Sequence, residues 1–421
     1  MLSDHQRALV SATVPALRAH GEEITRVFYR NMLAAHPELF DYFNPANQRD
    51  GGQAASLAAS VLAYASHIAN PAPLMSMIER IASKHVSLDI KPAHYPIVGH
   101  YLLGAIKDVL RDAATSEIIE AWSAAYAQLA DIMVGREAAM AAESAAQPQG
   151  WRGFKPFRVT RKVRESDVTA SFYLQPVDGT PLPPFLPGQY VSLRVRVPGF
   201  DHYQVRQYSL SSAPNGREYR ISVKREATPA DMPDAPPGLV SNWLHDTVQE
   251  GDFLDVHMPL GDFVLQPGTH PVVLLSGGSG ITAVLSMLEY LTGEGGGHRE
   301  VIFLHAARHR GHHAFSSHVR ALAQRRPGVR VAVLYGEVGP ADEPGIHHDL
   351  VGRLTADIIR AHLPAGPADF YYCGPIGFMA GVEAALDTLR VPQSRRFSEA
   401  FAPDPSFAVP TFPVPMPVAA E

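Results

Sequence analysis

Apolar residues recur at three- and four-residue spacing through the first third of the chain, for example between Ile24 and Leu33 and between Val61 and Ile68. This spacing places apolar side chains on one face of a helix. Prolines separate these runs, at positions where helices end or begin. The pattern predicts an all-α domain over residues 1–138, made of several helices.

The pattern changes after an Ala-rich stretch that leads into Gln147-Pro148-Gln149-Gly150, which we interpret as part of a linker over residues 139–152. Of the 33 glycines and 36 prolines, only 13 precede Gln147. Short β-like runs with turn residues between them then predict an antiparallel β-barrel or sandwich over residues 153–264. The predicted strands are Phe157–Val163, Ala170–Gln175, Gln189–Val195, Arg220–Val223 and Phe253–His257.

Apolar strands alternate with helical segments over residues 268–403, which is typical of a parallel α/β sheet. The predicted strands are Val272–Leu275, Val301–His305, Val329–Leu334 and Phe370–Cys373. The rest of the chain, residues 404–421, is rich in proline, and we expect it to be disordered.

Composition narrows the class of protein. Hydrophobic residues make up 46% of the chain, and the formal net charge is −6 with no basic stripe, which argues against a nucleic-acid partner. Cys373 is the single cysteine and fits a reducing compartment. The N-terminus has no pattern of a secretory signal. Two stretches without charged residues, 51–78 and 271–288, are interrupted by polar or glycine residues, so we expect a cytoplasmic protein with no membrane span.

His85 is a candidate iron ligand in the helical segment, because a neutral imidazole binds haem iron well. Tyr95 lies ten residues further on, with Pro92 between them, so the two side chains can meet only around a bend. With 20 histidines in the chain, a solvated or core histidine is the ordinary alternative.

Residues throughout this segment resemble the globin domain of bacterial and fungal flavohaemoglobins. They are Phe28-Tyr29, Asn31-Met32, Pro37-Glu38, Phe43-Asn44, Asn47-Gln48-Arg49, Gln53, Leu57, Ala63-Tyr64-Ala65, Lys84-His85, Tyr95, Ile97-Val98-Gly99 and Arg136-Glu137-Ala138. The resemblance implies a non-covalent b-type haem, since the chain has no Cys-x-x-Cys-His.

The resemblance also assigns roles around that haem. His85 would be the axial ligand, and Tyr95 and Glu137 would hydrogen-bond around it. We also include Lys84, next to His85, among the candidate catalytic residues. On the other face Tyr29 and Gln53 would hydrogen-bond iron-bound O2, Leu57 would limit access and Phe43 would pack on the porphyrin. Each of these residues could instead be an ordinary core or helix-surface residue.

The second segment contains a candidate flavin site. Arg206-Gln207-Tyr208-Ser209, preceded by Tyr190, resembles the flavin signature of ferredoxin-reductase-type enzymes. Arginine can bind the FAD pyrophosphate, tyrosine can stack on the isoalloxazine, and serine can reach its reactive nitrogen. Val240 and Ser241 open a helix whose N-terminus would face phosphate, although Ser241 could be no more than an N-cap.

The third segment contains two candidate nicotinamide motifs, which together resemble the same reductases. A glycine turn joins an apolar strand to a helix through Gly278, Ser279, Gly280, Ile281, Thr282 and Ala283. Its partner, Cys373-Gly374-Pro375, ends a later strand, where doubly wound sheets bind ligands. The family usually has proline where Ala283 stands.

A third family segment departs more strongly from the pattern. Where the family has Cys-Phe-Gly-Pro, this chain has Ala400-Phe401-Ala402-Pro403, after Glu399. This difference puts the hydride-transfer rate and the choice between NADH and NADPH in doubt.

The resemblance therefore implies a nitric oxide dioxygenase that uses haem, FAD and NADH or NADPH, with O2 and NO as its small-molecule partners. We expect a monomer, and whether lipid enters the distal pocket stays open. The alternatives are an O2-binding globin or gas sensor, a haem-flavin reductase for peroxides or another acceptor, and a helical partner-binding domain on a reductase.

Overall fold

The computed structural model describes residues 2–43, 51–229, 232–293 and 296–401. The described part of the first segment contains six α-helices, namely α1 Asp4–Ala12, α2 Val14–Ala35, α3 Gly52–Ser66, α4 Met75–Ser87, α5 His94–Leu110 and α6 Ser116–Ala146. At the start of α1 the Ser3 hydroxyl accepts from the Gln6 N–H, and the Ser3 N–H donates to the Gln6 side chain. At the start of α6 the Thr115 hydroxyl accepts from the Ile118 N–H. Helix α6 extends through most of the segment that the sequence suggested as a linker.

The apolar faces predicted from the spacing form one core. Ile24, Phe28 and Met32 of α2 are almost fully buried and pack with residues of α3, α5 and α6. Burial of such side chains contributes about 1.5–3 kcal/mol each. Gly99 of α5 lies directly against Tyr126 of α6, so a Cβ there would stand 2.5 Å from the tyrosine ring, and the two helices approach closely.

The second segment is a six-stranded antiparallel sheet with the order β4-β3-β6-β1-β2-β5. Its strands are β1 Phe154–Arg164, β2 Thr169–Pro176, β3 Tyr190–Val195, β4 Gln204–Ser209, β5 Tyr219–Lys224 and β6 Phe253–His257. A single bridge between Leu210 and Ile221 brings the residue after β4 beside β5, so the two edges of the sheet approach each other. Helix α7, Leu239–Asp246, follows β5, and the Lys162 ammonium donates to three carbonyls at the end of this helix.

The third segment is a parallel sheet with the order β10-β9-β8-β7-β11-β12. Its strands are β7 Val272–Gly277, β8 Val301–Ala307, β9 Val329–Tyr335, β10 Leu350–Val351, β11 Asp369–Gly374 and β12 Arg396–Ala400. Its helices are α8 Ile281–Thr292, α9 Ser316–Arg325, α10 Ala356–His362 and α11 Ile376–Thr388. Two hydrophobic clusters cover the two faces of the sheet. The three-part fold class predicted from the sequence is confirmed.

No helix in the described ranges has the length and apolar character needed to cross a bilayer. The proline-rich tail, which we expected to be disordered, lies outside the described residues, as do Asn44, Asn47-Gln48-Arg49, Ala402 and Pro403.

Candidate haem, flavin and nicotinamide sites

Helices α4, α5 and α6 bring together His85, Tyr95 and Glu137. The Glu137 carboxylate oxygen Oε1 lies 2.8 Å from His85 Nδ1 and accepts a 2.5 Å hydrogen bond from the Tyr95 hydroxyl. Glu137 is buried, and the pKa of Tyr95 is raised, first by burial and then by its bond to this carboxylate. Because the carboxylate accepts from Nδ1–H, the lone pair of the imidazole is on Nε2.

This arrangement fits haem. His85 Nε2 makes no hydrogen bond with the described residues, and an imidazole held by a carboxylate is a strong iron ligand. Several apolar side chains of this segment pack against its core yet stay partly exposed, which suits contact with a porphyrin. They include Phe43, Leu57, Val61, Ile81 and Val98.

The other predicted haem-pocket residues lie on α2, on α3 and in the segment between these two helices. Tyr29 is buried, and burial raises its pKa although a side-chain hydrogen bond with Gln53 acts in the opposite direction. The Tyr29 ring meets Phe43 edge-on at 5.6 Å between centroids. Leu57 follows Gln53 by one helical turn. Tyr29 therefore keeps its proton and can donate a hydrogen bond.

Helix α4 joins the haem candidate to the flavin barrel. Tyr190, at the start of β3, is buried against Val86, and burial raises its pKa although the nearby hydroxyls of Ser83 and Ser87 act to lower it. Gln207 of β4 donates a 2.6 Å hydrogen bond to Ser87. Two of the predicted flavin residues therefore lie against the helix residues on either side of His85. The sequence did not point to Ser83 or Ser87.

The flavin signature lies on β4, which pairs with β3. Tyr208 and Ser209 follow Gln207 along the strand, and Ser209 is buried. Arg206 is half-buried, and burial lowers the pKa of its guanidinium. A partly buried guanidinium suits a phosphate group, and Tyr208 offers a ring for stacking.

Helix α7 presents its N-terminus beside this strand region. The N-cap is Gly238 rather than Ser241, because Ser241 lies at the third helical position and its hydroxyl bonds Gly238 O and Glu226 N–H. Val240 is buried in the barrel core. The indole N–H of Trp243 is buried without a hydrogen-bond partner among the described residues. The N–H groups at the start of α7 and this indole N–H fit a phosphate-bearing flavin.

The nicotinamide motifs meet at the carboxyl ends of β7 and β11. A Cβ at Gly280 would stand 2.0 Å from the Cys373 carbonyl oxygen, so only glycine fits between the two motifs. Gly278 has a positive φ of 52°, and Gly374 packs on the Phe378 ring. A cavity of about 500 Å³ opens beside Gly278 and Ser279.

The remaining residues of the turn support this cavity. Ile281, Thr282 and Ala283 begin α8 and are buried, and the Thr282 hydroxyl donates to Ser279 O at 2.9 Å. Pro375 lines the cavity with Ile281 and Thr282. Backbone N–H groups at such a turn favour a pyrophosphate. Ala283 is fully enclosed in the domain core, so a proline there is not needed to form the turn.

Glu399 and Ala400 lie on β12, where Ala400 pairs with Gly374 of β11. One Glu399 oxygen is buried without a hydrogen-bond partner in the described chain. Burial raises the pKa of Glu399 to about 8 although Lys84 acts to lower it. Lys84 of α4 and Glu399 are therefore close enough to interact across the globin and nicotinamide domains. Phe401 is 48% exposed.

A second contact between domains joins the barrel to the nicotinamide domain. Arg220 of β5 bonds Glu289 of α8 at 2.6 Å, and both are largely buried. Glu289 also accepts from His318 and from the Ala213 N–H. Neither member of this pair was among the residues selected from the sequence, since no local motif marks them.

Family profiles match all three parts. The profile described as Globin matches residues 26–133, the Oxidoreductase FAD-binding domain matches residues 156–265, and the Oxidoreductase NAD-binding domain matches residues 274–384. Fold and site thus define a globin joined to an FAD- and NAD-binding oxidoreductase module. The expected cofactor classes, haem, FAD and a nicotinamide dinucleotide, are confirmed.

Curated relatives match nearly the whole chain. The flavohemoprotein of Deinococcus radiodurans is 58% identical over 97% of this chain and 99% of its own length. That of Bordetella pertussis is 49% identical over 95% of this chain and 98% of its own. The chain belongs to the flavohemoprotein family.

Solved structures agree with this assignment. A flavohemoglobin from Malassezia yamatoensis with bound FAD and heme has a TM-score of 0.82 and 29% identity, and the match covers 95% of this chain and 99% of that one. The FAD/NAD binding domain of a nitric oxide dioxygenase from Vibrio cholerae is 38% identical, with a TM-score of 0.52 over 59% of this chain and 99% of that one.

Proposed function

We propose that this chain is an NAD(P)H-dependent nitric oxide dioxygenase, which oxidises NO with O2 to nitrate. The observation that carries the proposal is the network of His85 and Tyr95 around the buried Glu137 carboxylate, on a globin fused to a reductase. The Vibrio cholerae structure, described as part of a nitric oxide dioxygenase, supports the choice of reaction.

The haem iron would supply O2 binding, and FAD would supply the conversion of a two-electron hydride into single electrons. On the proximal side, the residue roles follow from the hydrogen bonds. Glu137 accepts from His85 Nδ1–H and so increases the electron donation of Nε2, which favours activation of O2 over its storage. Tyr95 donates to the same carboxylate and fixes its orientation.

On the distal side Tyr29 and Gln53 would provide hydrogen bonds to a ligand with developing negative charge. The raised pKa of Tyr29 keeps its hydroxyl protonated at neutral pH, so it remains a donor. Phe43 and Leu57 would restrict the space around that ligand.

The contacts of α4 support electron delivery within one chain. Gln207 donates a hydrogen bond to Ser87, and Tyr190 is buried against Val86, so the proximal helix packs directly on the flavin strands. The charge of Lys84 acts to lower the pKa of Glu399 in the same region. In this proposal, these residues hold the haem site and the flavin site close together.

The test is NO consumption by the purified full chain under controlled O2. NO loss and nitrate formation should both require O2 and reduced nicotinamide. NO loss that is independent of either would contradict the dioxygenase. Stable O2 binding without turnover would instead favour a carrier or sensor, and oxidation of NAD(P)H by peroxides alone would favour another acceptor.

A pair of variants tests the iron ligand separately. His85→Ala should abolish haem retention, whereas His20→Ala, at an exposed histidine of α2, should leave haem content unchanged. Haem content is measured by the Soret absorbance relative to protein. A normal Soret band in the His85 variant would refute the assignment.

A further inference from the structure

The cavity at the nicotinamide site has cationic side chains and lacks acidic ones. Among the described residues that line it, none is Asp or Glu, whereas Lys224, Arg308 and Arg353 all contribute. A dinucleotide already carries two phosphate charges at its pyrophosphate. The backbone of the glycine turn can bind that group, so these side chains provide positive charge beyond it.

Arg308 occupies an informative position. It follows β8 directly, and β8 is the neighbour of β7, with Gly277 in register with Ala306. Its backbone is therefore close to the glycine turn that begins at Gly277. In sheets of this kind, an acidic residue near this point bonds the 2′-hydroxyl of the adenine-side ribose, whereas an arginine accommodates a 2′-phosphate.

The Arg308 guanidinium is available for a ligand. It is exposed and makes no hydrogen bond or ion pair with the residues that the structure describes. Lys224, by contrast, is already bonded to both oxygens of Glu226 at 3.0 Å. An unpaired guanidinium at a cavity wall can form a bidentate pair with a phosphate without first breaking another contact.

The other charged groups nearby do not cancel this positive charge. His312 lies within reach of Arg308, Lys224 and Asp167, and its pKa is lowered by burial and then by its cationic neighbours. The Asp167 carboxylate is engaged by Arg164 at 2.7 Å and does not line the cavity. No described carboxylate of the cavity lining therefore opposes the charge of Arg308.

We propose that this site selects NADPH over NADH, and that Arg308 is the residue that binds the 2′-phosphate of the adenine-side ribose. The inference names the reductant within the proposed function and rests on its use of NAD(P)H. It does not depend on the acceptor being NO.

Binding of two fragments to the holoenzyme tests the proposal without turnover. Adenosine 2′,5′-bisphosphate and 5′-AMP differ at the 2′-position, and calorimetry gives the affinity of each. The wild type should bind the bisphosphate at least tenfold more tightly, because a charge-assisted pair with phosphate is strong. Arg308→Gln should weaken bisphosphate binding about tenfold or more and leave 5′-AMP unchanged.

Two further variants serve as controls. Arg308→Lys should recover part of the bisphosphate affinity, since it keeps the charge but loses the bidentate geometry. Arg325→Gln removes the same charge from the exposed end of α9, outside the cavity, and should change neither affinity. Equal affinity of the wild type for both fragments, or equal weakening of both in Arg308→Gln, would overturn the proposal.

Anaerobic flavin reduction supplies the kinetic counterpart. Arg308→Gln should raise the KM for NADPH about tenfold with little change in kcat, and the KM for NADH should stay the same. NADPH-selective flavin reduction without NO turnover would overturn the proposed function and leave this inference standing. NO turnover that prefers NADH in the wild type would overturn the inference alone.

Discussion

The buried pair between Arg220 and Glu289 gives a prediction that reaches from stability to electron transfer. Glu289 is replaced by alanine, which leaves Arg220 without its carboxylate between the barrel and the nicotinamide domain. Burial alone would raise the pKa of Glu289, but His318, Arg220 and the Ala213 N–H together hold it below its usual value. The carboxylate is therefore ionised and fully engaged.

The magnitude follows from the burial of both partners. Their side chains are 8% and 15% exposed, so solvent cannot replace the lost contacts. Removing one partner of such a pair costs about 3–5 kcal/mol. The exposed pair of Arg26 and Glu22 on α2 is the matched control, and its disruption should cost about 0.3–0.5 kcal/mol.

The assay is urea unfolding of the full chain, with the release of flavin fluorescence reporting the barrel transition. Glu289→Ala should lower the midpoint strongly, and anaerobic flavin reduction by NAD(P)H should slow, because the two domains lose a fixed contact. A double-mutant cycle with Arg220→Met should show a coupling of about 1–3 kcal/mol. Additive effects of the two changes, or a cost no larger than in the α2 control, would refute the reasoning.

Three further predictions concern single positions. Gly280→Ala places a Cβ against the Cys373 carbonyl and should abolish NAD(P)H-driven flavin reduction, whereas Gly135→Ala, at an open helical site, should not; normal reduction would contradict the close approach. Burial, followed by the charge of a nearby arginine, lowers the pKa of His313 to about 4. The unfolded chain binds more protons below pH 6.5, so stability should fall by about 2–3 kcal/mol from pH 6.5 to 4. His313→Gln should flatten this dependence in urea titrations at several pH values, and an unchanged slope would refute it. Glu137→Gln removes about 1 kcal/mol of charge-assisted hydrogen bonding to His85. The haem midpoint potential should therefore rise by about 40 mV, as measured by spectroelectrochemistry. An unchanged potential would mean that the carboxylate does not tune the iron.

Periodicity was enough to predict most elements, because their burial follows the alternation of apolar and polar residues. Strand β12 was missed for a physical reason. Its residues, Arg396–Ala400, are all only partly buried and pair on one side alone, so the strand carries no apolar pattern. Strand β4, which holds Gln207 and Tyr208, is similarly half-buried on the edge of its sheet and was recognised by its motif rather than by its periodicity.

The functional sites show the same difference between features that sequence patterns reveal and features that they do not. Local motifs identified the glycine turn and the flavin strand, since their chemistry depends on neighbours in sequence. The bond between His85 and Glu137 joins residues 52 positions apart and depends on how α4 packs on α6. Ser83 and Ser87 could not be predicted as contact residues, because a serine on a helix shows no sequence pattern that identifies its partner.

The rotation from residue to residue along the short helix α4 fixes how the iron ligand is oriented relative to the barrel. Successive residues of this helix turn by about 100° around its axis. Ser87 accepts a hydrogen bond from Gln207 of the barrel, Ser83 lies one turn earlier on the same face, and His85 lies between them on another face. A single residue inserted or deleted between Ser83 and Ser87 would rotate the iron ligand away from its pocket or the hydroxyls away from the barrel. The four-residue spacing between the two serines therefore fixes the iron ligand and the barrel contact to opposite sides of one helix.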